Sequence, residues 1–211
     1  VGQLVDVARN HDLLVVSDAG MPTVSDPGFN LVRACTEAGV KVSVIPGPSA
    51  VLAALAVSGL PTDRFTFEGF IGRKDGERRK QFESLVAEHR TMIFFESPHR
   101  IHESLIAAAE VFGDDRPASV SRELTKKFEH TERGSLAELV AWATEEPKGE
   151  MVVVIAGAPA LEVELNILVA RVLQLQSEGV RLKDAVAEIA ELYAVSKSEL
   201  YQLALDARKI D

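Results

Sequence analysis

VVSDAGMPTVSDPG, residues 15–28, follows the apolar pair Leu13-Leu14 and runs straight into a helical pattern. An apolar run, a loop rich in Gly, Pro and Asp, and then a helix make up the strand–loop–helix step of an α/β sheet. Ligands of such sheets bind at the carboxyl ends of the strands. The second half of the loop has a local reading, with Asp26 as N-cap and Pro27 at the first helical position. That reading leaves Ser17 to Gly20 unexplained and makes Asp18 a candidate ligand contact.

Working outward, residues 12–17 read as a buried strand and 27–38 as an amphipathic helix, apolar at Leu31, Val32, Ala34, Cys35 and Ala38. Gly39 ends that helix and KVSVI (41–45) is the next strand. PGPSAVLAALAVSG (46–59) turns into a helix of small residues that opens at Ser49 and closes at Gly59. Strand, helix, strand, helix is the order of a parallel sheet with crossover helices.

The texture changes after Arg64. FTFEGF (65–70) alternates like a strand, GRKDGERRK (72–80) is a charged loop entering a helix, and TMIFFES (91–97) is a strongly apolar strand before a helix from Pro98 to Phe112. RPASVSREL and KKFEHTERGS read as neighbouring strands, Ser135 as the cap of a short helix, and EMVVVIAG (150–157) as a last buried strand. From Pro159 the pattern is helical, with helix, short turn and helix over 181–208. Trp142, Tyr193 and Tyr201 fall on helical faces and read as core or interface packing. The expected organisation is therefore α/β in two parts plus a tail: 1–64, the remainder of a Rossmann-like parallel α/β domain; 65–158, a second α/β domain with a mixed sheet; and 159–211, a small helix-turn-helix-like domain.

The 211 residues are 46% hydrophobic and 26% charged, an ordinary soluble composition, and no apolar run reaches membrane-span length. A cytoplasmic location is the expectation. Cys35 is the single cysteine and reads as a small buried hydrophobe. The net charge of −9 argues against general adhesion to nucleic acid but leaves room for a local basic patch. No metal site is expected, because the five histidines form no H-E-x-x-H pair and one cysteine builds no zinc centre. Walker A, G-x-G-x-x-G and G-x-S-x-G patterns are all lacking. What remains is a set of strand-end loops, SDAGMP, IPGPSA, FFESPHR and SRELTK, whose small residues let a ligand approach the backbone. The helix opening at Ser49 offers backbone N–H groups to a carboxylate. A ligand part apolar, part cationic and carrying one carboxylate suits these loops; S-adenosylmethionine is one such molecule among several.

Taken together and in order, VSDAGMPTVSDPG, VIPGPSAVLAAL, FEGFIGRKDGERR, FFESPHR and SRELTKKFEHTERGS resemble the tetrapyrrole-methylase superfamily. Within it they are most similar to the ribosomal RNA small subunit methyltransferase I branch, over about Leu13 to Gly157. The resemblance implies two α/β domains with S-adenosylmethionine between them, a homodimer, and methyl transfer to a cytidine 2′-hydroxyl of small-subunit ribosomal RNA, naked or assembled. The branch's opening strand, its TPIGNLGD-like loop and an EDTR-like motif do not occur here, so part of the N-terminal domain is expected to be missing. By the same resemblance Ser17, Asp18, Ala19, Gly20, Val24, Ser49 and Ala50 would line the cofactor site, joined by Ser97 and Met151.

A ribose hydroxyl needs a base and an in-line approach to the sulfonium. Glu96, Glu123 and Lys126 are the candidates, each with a plain alternative: Glu96 as a helix cap, Glu123 as a partner of Arg122 or Lys126, and Lys126 as a phosphate contact. For RNA, Arg73, Lys74, Arg78, Arg79 and Lys80 stand together in 73–80 against two acids, with His99, Arg100 and Lys127 extending the surface. Two other readings compete. A corrin or porphyrin methylase would share the fold, although a basic loop is out of place beside a flat macrocycle. A ligand-sensing DNA-binding regulator would use the tail, but 181–211 carries five basic and six acidic residues.

Overall fold

A computed structural model describes residues 1–18, 20–159, 165–193 and 195–207. The chain divides into two compact units, Val1–Gly157 and Ala158–Asp211.

The first unit is built on a five-stranded mixed sheet in the order β1-β2-β5-β3-β4. Its strands are β1 (Phe65–Phe70), β2 (Thr91–Glu96), β3 (Pro117–Arg122), β4 (His130–Ser135) and β5 (Met151–Ile155). β1 and β2 run parallel; β5 is antiparallel to both β2 and β3, and β4 is antiparallel to β3. The central β2 and β5 read as unbroken apolar runs because both faces of the sheet are covered. On one face Met92, Phe94, Met151, Val153 and Ile155 pack with Phe82 of α4 (Asp75–Glu83), Leu105 and Phe112 of α5 (Ile101–Phe112), and Leu136 and Leu139 of α6 (Leu136–Ala143). On the other, Ile93, Val152 and Val154 pack with Val51, Ala54 and Leu55 of α3 (Ala50–Ser58). Phe82, Phe94 and Phe112 meet ring to ring, with centroids 5.6 and 5.4 Å apart.

Helix ends follow local chemistry. The Ser49 hydroxyl accepts from Leu52 N at the start of α3, and Gly59 closes that helix with φ 78°. Ser135 and Glu138 form a capping box on α6.

Three expectations are corrected. Residues 12–17 and 41–45 form no strand and belong to no sheet: Leu14, Val16, Val44 and Ile45 are 67–78% exposed. Apolar β-branched sequence sets strand potential, but a strand also needs a neighbour to pair with. Among the described residues neither run has one, and a cavity of about 1160 Å³ lies between them. The helix after the opening loop, α2 (Phe29–Glu37), is entered through Gly28 at φ 129°, not capped by Asp26, and Pro27 lies outside it. The sequence reading also passed over α1 (Gly2–Asn10).

The second unit is a three-helix cluster of α7 (Leu165–Ser177), α8 (Leu182–Leu192) and α9 (Lys197–Ala207). Leu168, Val172, Ala185, Ile189, Leu200 and Ala204 form its core. Tyr193 packs against that core, whereas Tyr201 is exposed. No helix of the described residues is long and apolar enough to cross a membrane.

Candidate active site

Strand direction gathers the chemistry at one edge. Because β1, β2 and β3 run the same way and β4 and β5 oppose them, Glu96, Met151, Arg122 and His130 stand in register side by side. The loops 71–74, 97–100, 123–129 and 148–150 therefore leave the sheet on the same side. The first half of α3 faces that edge too. Val51 and Leu55 share a cluster with Phe95, Val152 and Leu124, whereas the last turn of α3 receives the Arg133 guanidinium on Val57 O, farther down the sheet.

The opening loop meets the start of α3. Gly20 lies against Pro48 O, and Gly47 against Met21 Sδ. Ser17 Oγ donates to Gly20 O at 3.1 Å and closes the Asp18 turn, while Asp18 and Val24 are exposed. Thr23 and Ser25 hold φ of 74° and 58°, a left-handed conformation that side-chain-bearing residues adopt at a cost, and such residues cluster at ligand sites. Ser17, Gly20 and Val24 line the cavity beside this loop. The wall of that cavity is mostly apolar, with Asp12 and Lys41 as charged lining residues, whereas Asp18, Ser49 and Ala50 do not line it. The exposed Asp18 carboxylate and the helix start at Ser49 have the chemistry to meet ribose hydroxyls and a carboxylate. Ala19 lies outside the described residues. Ser97 stands at the edge, bonded by its own N–H to Glu96. The Met151 side chain, however, is buried in the α4–α5–α6 layer, so only its backbone reaches the edge.

At the end of β2, Glu96 is withdrawn from solvent. Its side chain is fully buried and both oxygens are occupied: Oε1 accepts from Ser97 N at 2.6 Å and Arg100 Nη2 at 2.5 Å, and Oε2 from Ser104 Oγ at 2.5 Å. Glu96 clips the end of β2 to the start of α5. Glu96-x-x-x-Arg100 spacing is visible in the sequence, but Ser104 as the third partner is not. Arg100 is drawn inward by the same pair, and its Nε also donates to Ser97 Oγ at 3.1 Å.

Glu123 Oε1 accepts from Lys126 Nζ at 3.1 Å and Glu150 N at 3.2 Å. The hydrogen bond from Lys126, then that from the Glu150 backbone, holds its carboxyl below the usual carboxylate range, which weakens it as a base. Bonds to Glu150 (2.8 Å) and Glu123 raise the Lys126 ammonium and keep it charged. A Cβ at Gly149, whose φ is 98°, would overlap the Glu123 side chain. The carboxylate thus ties loop 123–129 to 148–150, and Gly149 makes room for it; sequence reasoning missed this glycine.

The basic run separates into parts. Arg73 and Lys74 are exposed at the edge, with Lys74 Nζ 3.7 Å from Glu77, and His99 and Lys127 are exposed there as well. Arg78 is corrected as an RNA contact: it is 2% exposed and donates to Glu103 at 3.2 Å between α4 and α5. Arg79 pairs with Asp75 and with Glu110 in the last turn of α5, toward the far end of that helix from Ser97–Arg100. Lys80 is exposed beside it.

The Tetrapyrrole (Corrin/Porphyrin) Methylases match residues 3–140, and the RsmI C-terminal HTH domain matches 164–209. Among solved structures, the methyltransferase CobJ is similar with a TM-score of 0.55 at 21% identity, covering 77% of this chain and 72% of that one. Diphthine synthase is similar with a TM-score of 0.52 at 17% identity, covering 74% and 64%. Those likenesses are of fold alone; the family match over residues 3–140 defines the class, a tetrapyrrole methylase carrying a helical C-terminal unit.

Closer relatives narrow it. Ribosomal RNA small subunit methyltransferase I of Mycobacterium tuberculosis (strain ATCC 25618 / H37Rv) is 48% identical over 211 residues, 99% of this chain and 74% of the relative. The protein of that name from Escherichia coli O157:H7 is 42% identical over 206 residues, 96% and 72% respectively. The chain belongs to the ribosomal RNA small subunit methyltransferase I family.

Proposed function

We propose that the protein transfers a methyl group from S-adenosylmethionine to small-subunit ribosomal RNA, the acceptor being a cytidine ribose 2′-hydroxyl. The observation that carries this reading is the 48% identity with a relative of that name over nearly the whole chain. The gathering of the start of α3 and the 97–100 and 123–129 loops at one sheet edge, with the opening loop against Gly47 and Pro48, supports it. Residues 1–64 would carry the cofactor loops and 65–158 the acceptor side, in a cytoplasmic protein working as a homodimer.

S-adenosylmethionine, when bound, supplies the electrophilic methyl. Asp18 and the Ser17–Gly20 turn would hold its hydroxyls, and the first N–H groups of α3 its carboxylate. Arg73, Lys74, His99 and Lys127 would hold RNA phosphates along the edge. Glu123 and Lys126 position the 123–129 loop; with Glu96 sequestered and Glu123 paired, much of the rate would come from aligning the hydroxyl.

Calorimetric titration of S-adenosylmethionine into the wild type and Asp18→Ala tests the cofactor site, with binding by the first and loss in the second expected. Labelled methyl transfer to small subunits and to naked RNA, followed by nucleoside analysis, tests the acceptor. Label confined to 2′-O-methylcytidine is expected; label in protein or on a base overturns the reading.

A further inference from the structure

The loop between β3 and β4 carries a large apolar side chain that the core does not take up. Phe128 is 64% exposed. Yet the loop around it is fixed: Lys126 N donates to Glu123 O at 2.9 Å, Glu129 N to Lys126 O at 3.1 Å, and Glu123 N to Glu150 O at 3.0 Å. Thr125 N donates to Glu129 Oε2 at 2.5 Å. Glu123 and Thr125 hold φ of 51° and 65°, and Leu124 anchors the loop under α3. Left-handed conformations in side-chain-bearing residues persist where surrounding contacts impose them, and they gather at ligand sites. The ring is thus presented to solvent from a held loop.

Its neighbour completes the surface. Lys127 Nζ lies 5.4 Å from the Phe128 ring centroid. Lys126 is engaged by Glu123 and Glu150, whereas Lys127 makes no ion pair among the described residues. The exposed ring carries the Lys127 ammonium over one face, an ammonium with no carboxylate partner among the described residues. Such a pair fits an unpaired nucleobase, the ring stacking on the base and the cation turning to its phosphate. The loop leaves the sheet at the same edge as Ser97, His99 and the Arg73–Lys74 turn, beside the start of α3.

We propose that Phe128 is a stacking platform for an unpaired nucleobase of the RNA acceptor, with Lys127 on the adjoining phosphate. This rests on the ribosomal RNA reading above and adds a subsite to it.

The test uses the full chain as wild type, Phe128→Leu and Phe128→Trp, with small subunits, a ten-nucleotide single-stranded RNA, and the same strand with abasic positions. Phe128→Leu is expected to raise the KM for small subunits and weaken binding of the intact strand about tenfold. S-adenosylmethionine affinity and the thermal midpoint should stay unchanged, and Phe128→Trp should restore both RNA parameters. The indole fluorescence that Phe128→Trp adds, after subtracting the Trp142 signal of the wild type, should be quenched by the intact strand and not by the abasic one. The stacking assignment is overturned if Phe128→Leu keeps wild-type RNA binding and KM, if abasic RNA quenches equally, or if sedimentation shows Phe128→Leu losing a dimer while RNA binding stays intact. Wild type that neither binds nor methylates small-subunit RNA overturns the underlying reading, and the subsite with it.

Discussion

Two regions of the first unit carry equally apolar strand-like sequence and meet different fates. LLVV at 13–16 and VSVI at 42–45 carry even more Val, Ile and Leu than MIFF at 92–95 and VVVI at 152–155, seven against five. The latter pair are central strands whose residues are buried on both faces, Phe94 and Val154 completely. The former are in no sheet and line a cavity, with Val16 75% and Ile45 78% exposed. Composition gives a segment the capacity to be a strand; stability comes from the partners on either side. The comparison breaks if substitutions in the two regions cost the same. Phe94→Ala removes a ring from a packed layer and is expected to cost about 3–5 kcal/mol in urea unfolding. Val16→Ala and Ile45→Ala are expected to stay within about 0.5 kcal/mol.

The buried pair at the end of β2 gives the next effect. Glu96→Ala would leave the Arg100 guanidinium without its carboxylate and Ser104 without its acceptor, at a cost of about 3 kcal/mol. Glu96→Gln keeps the shape and should recover part of the loss. If Glu96 were instead a base at the surface, both variants would abolish methyl transfer with stability intact, so the two readouts separate the roles.

Gly149→Ala sharpens the comparison at the edge of the well-packed region. Alanine at φ 98° is strained, and its Cβ would displace the Glu123 carboxylate. Expected are a loss of about 1–2 kcal/mol and a raised KM for RNA, with S-adenosylmethionine binding unchanged. Loss of cofactor binding instead would place loop 123–129 on the cofactor side.

These contrasts also mark what the sequence reveals. Ser49 and Ser135 are readable as caps because an N-cap is a contact within one turn, and β2 and β5 are readable because their apolar runs are bounded by turn residues. FFESPHR and SRELTK sit where β2 and β3 stop, as their apolar runs suggest, whereas SDAGMP and IPGPSA follow runs that form no strand. Asp26 misleads because a cap residue needs the chain to enter the helix beside it, and Gly28 enters it instead. Arg78 misleads because charge on a helix says nothing of which face another helix covers. Whether 12–17 pairs depends on a neighbour, and no property of the segment itself reports one.

The smallest effect tests the same contrast with charge in place of packing. Glu88 accepts from Arg90 Nε and N at 2.8 Å each, just before β2, and these bonds from Arg90 lower its carboxyl from 4.5 to about 2. Arg33 and Glu37 on α2 form an equally short pair at 2.8 Å, but both side chains are more than 60% exposed. Because the folded value at Glu88 lies below the unfolded one, the unfolded chain binds more protons between the two. The stabilisation is whole above about pH 4.5 and falls away as the pH drops through about 2. Glu88→Gln should therefore unfold slightly more readily than wild type at pH 7, with the difference vanishing near pH 2. Glu37→Gln should match wild type throughout, since an exposed helical pair contributes little. A Glu37 effect as large as that of Glu88 would mean that charges around α2 are held as firmly as those at β2, against the looser packing of the 12–45 region.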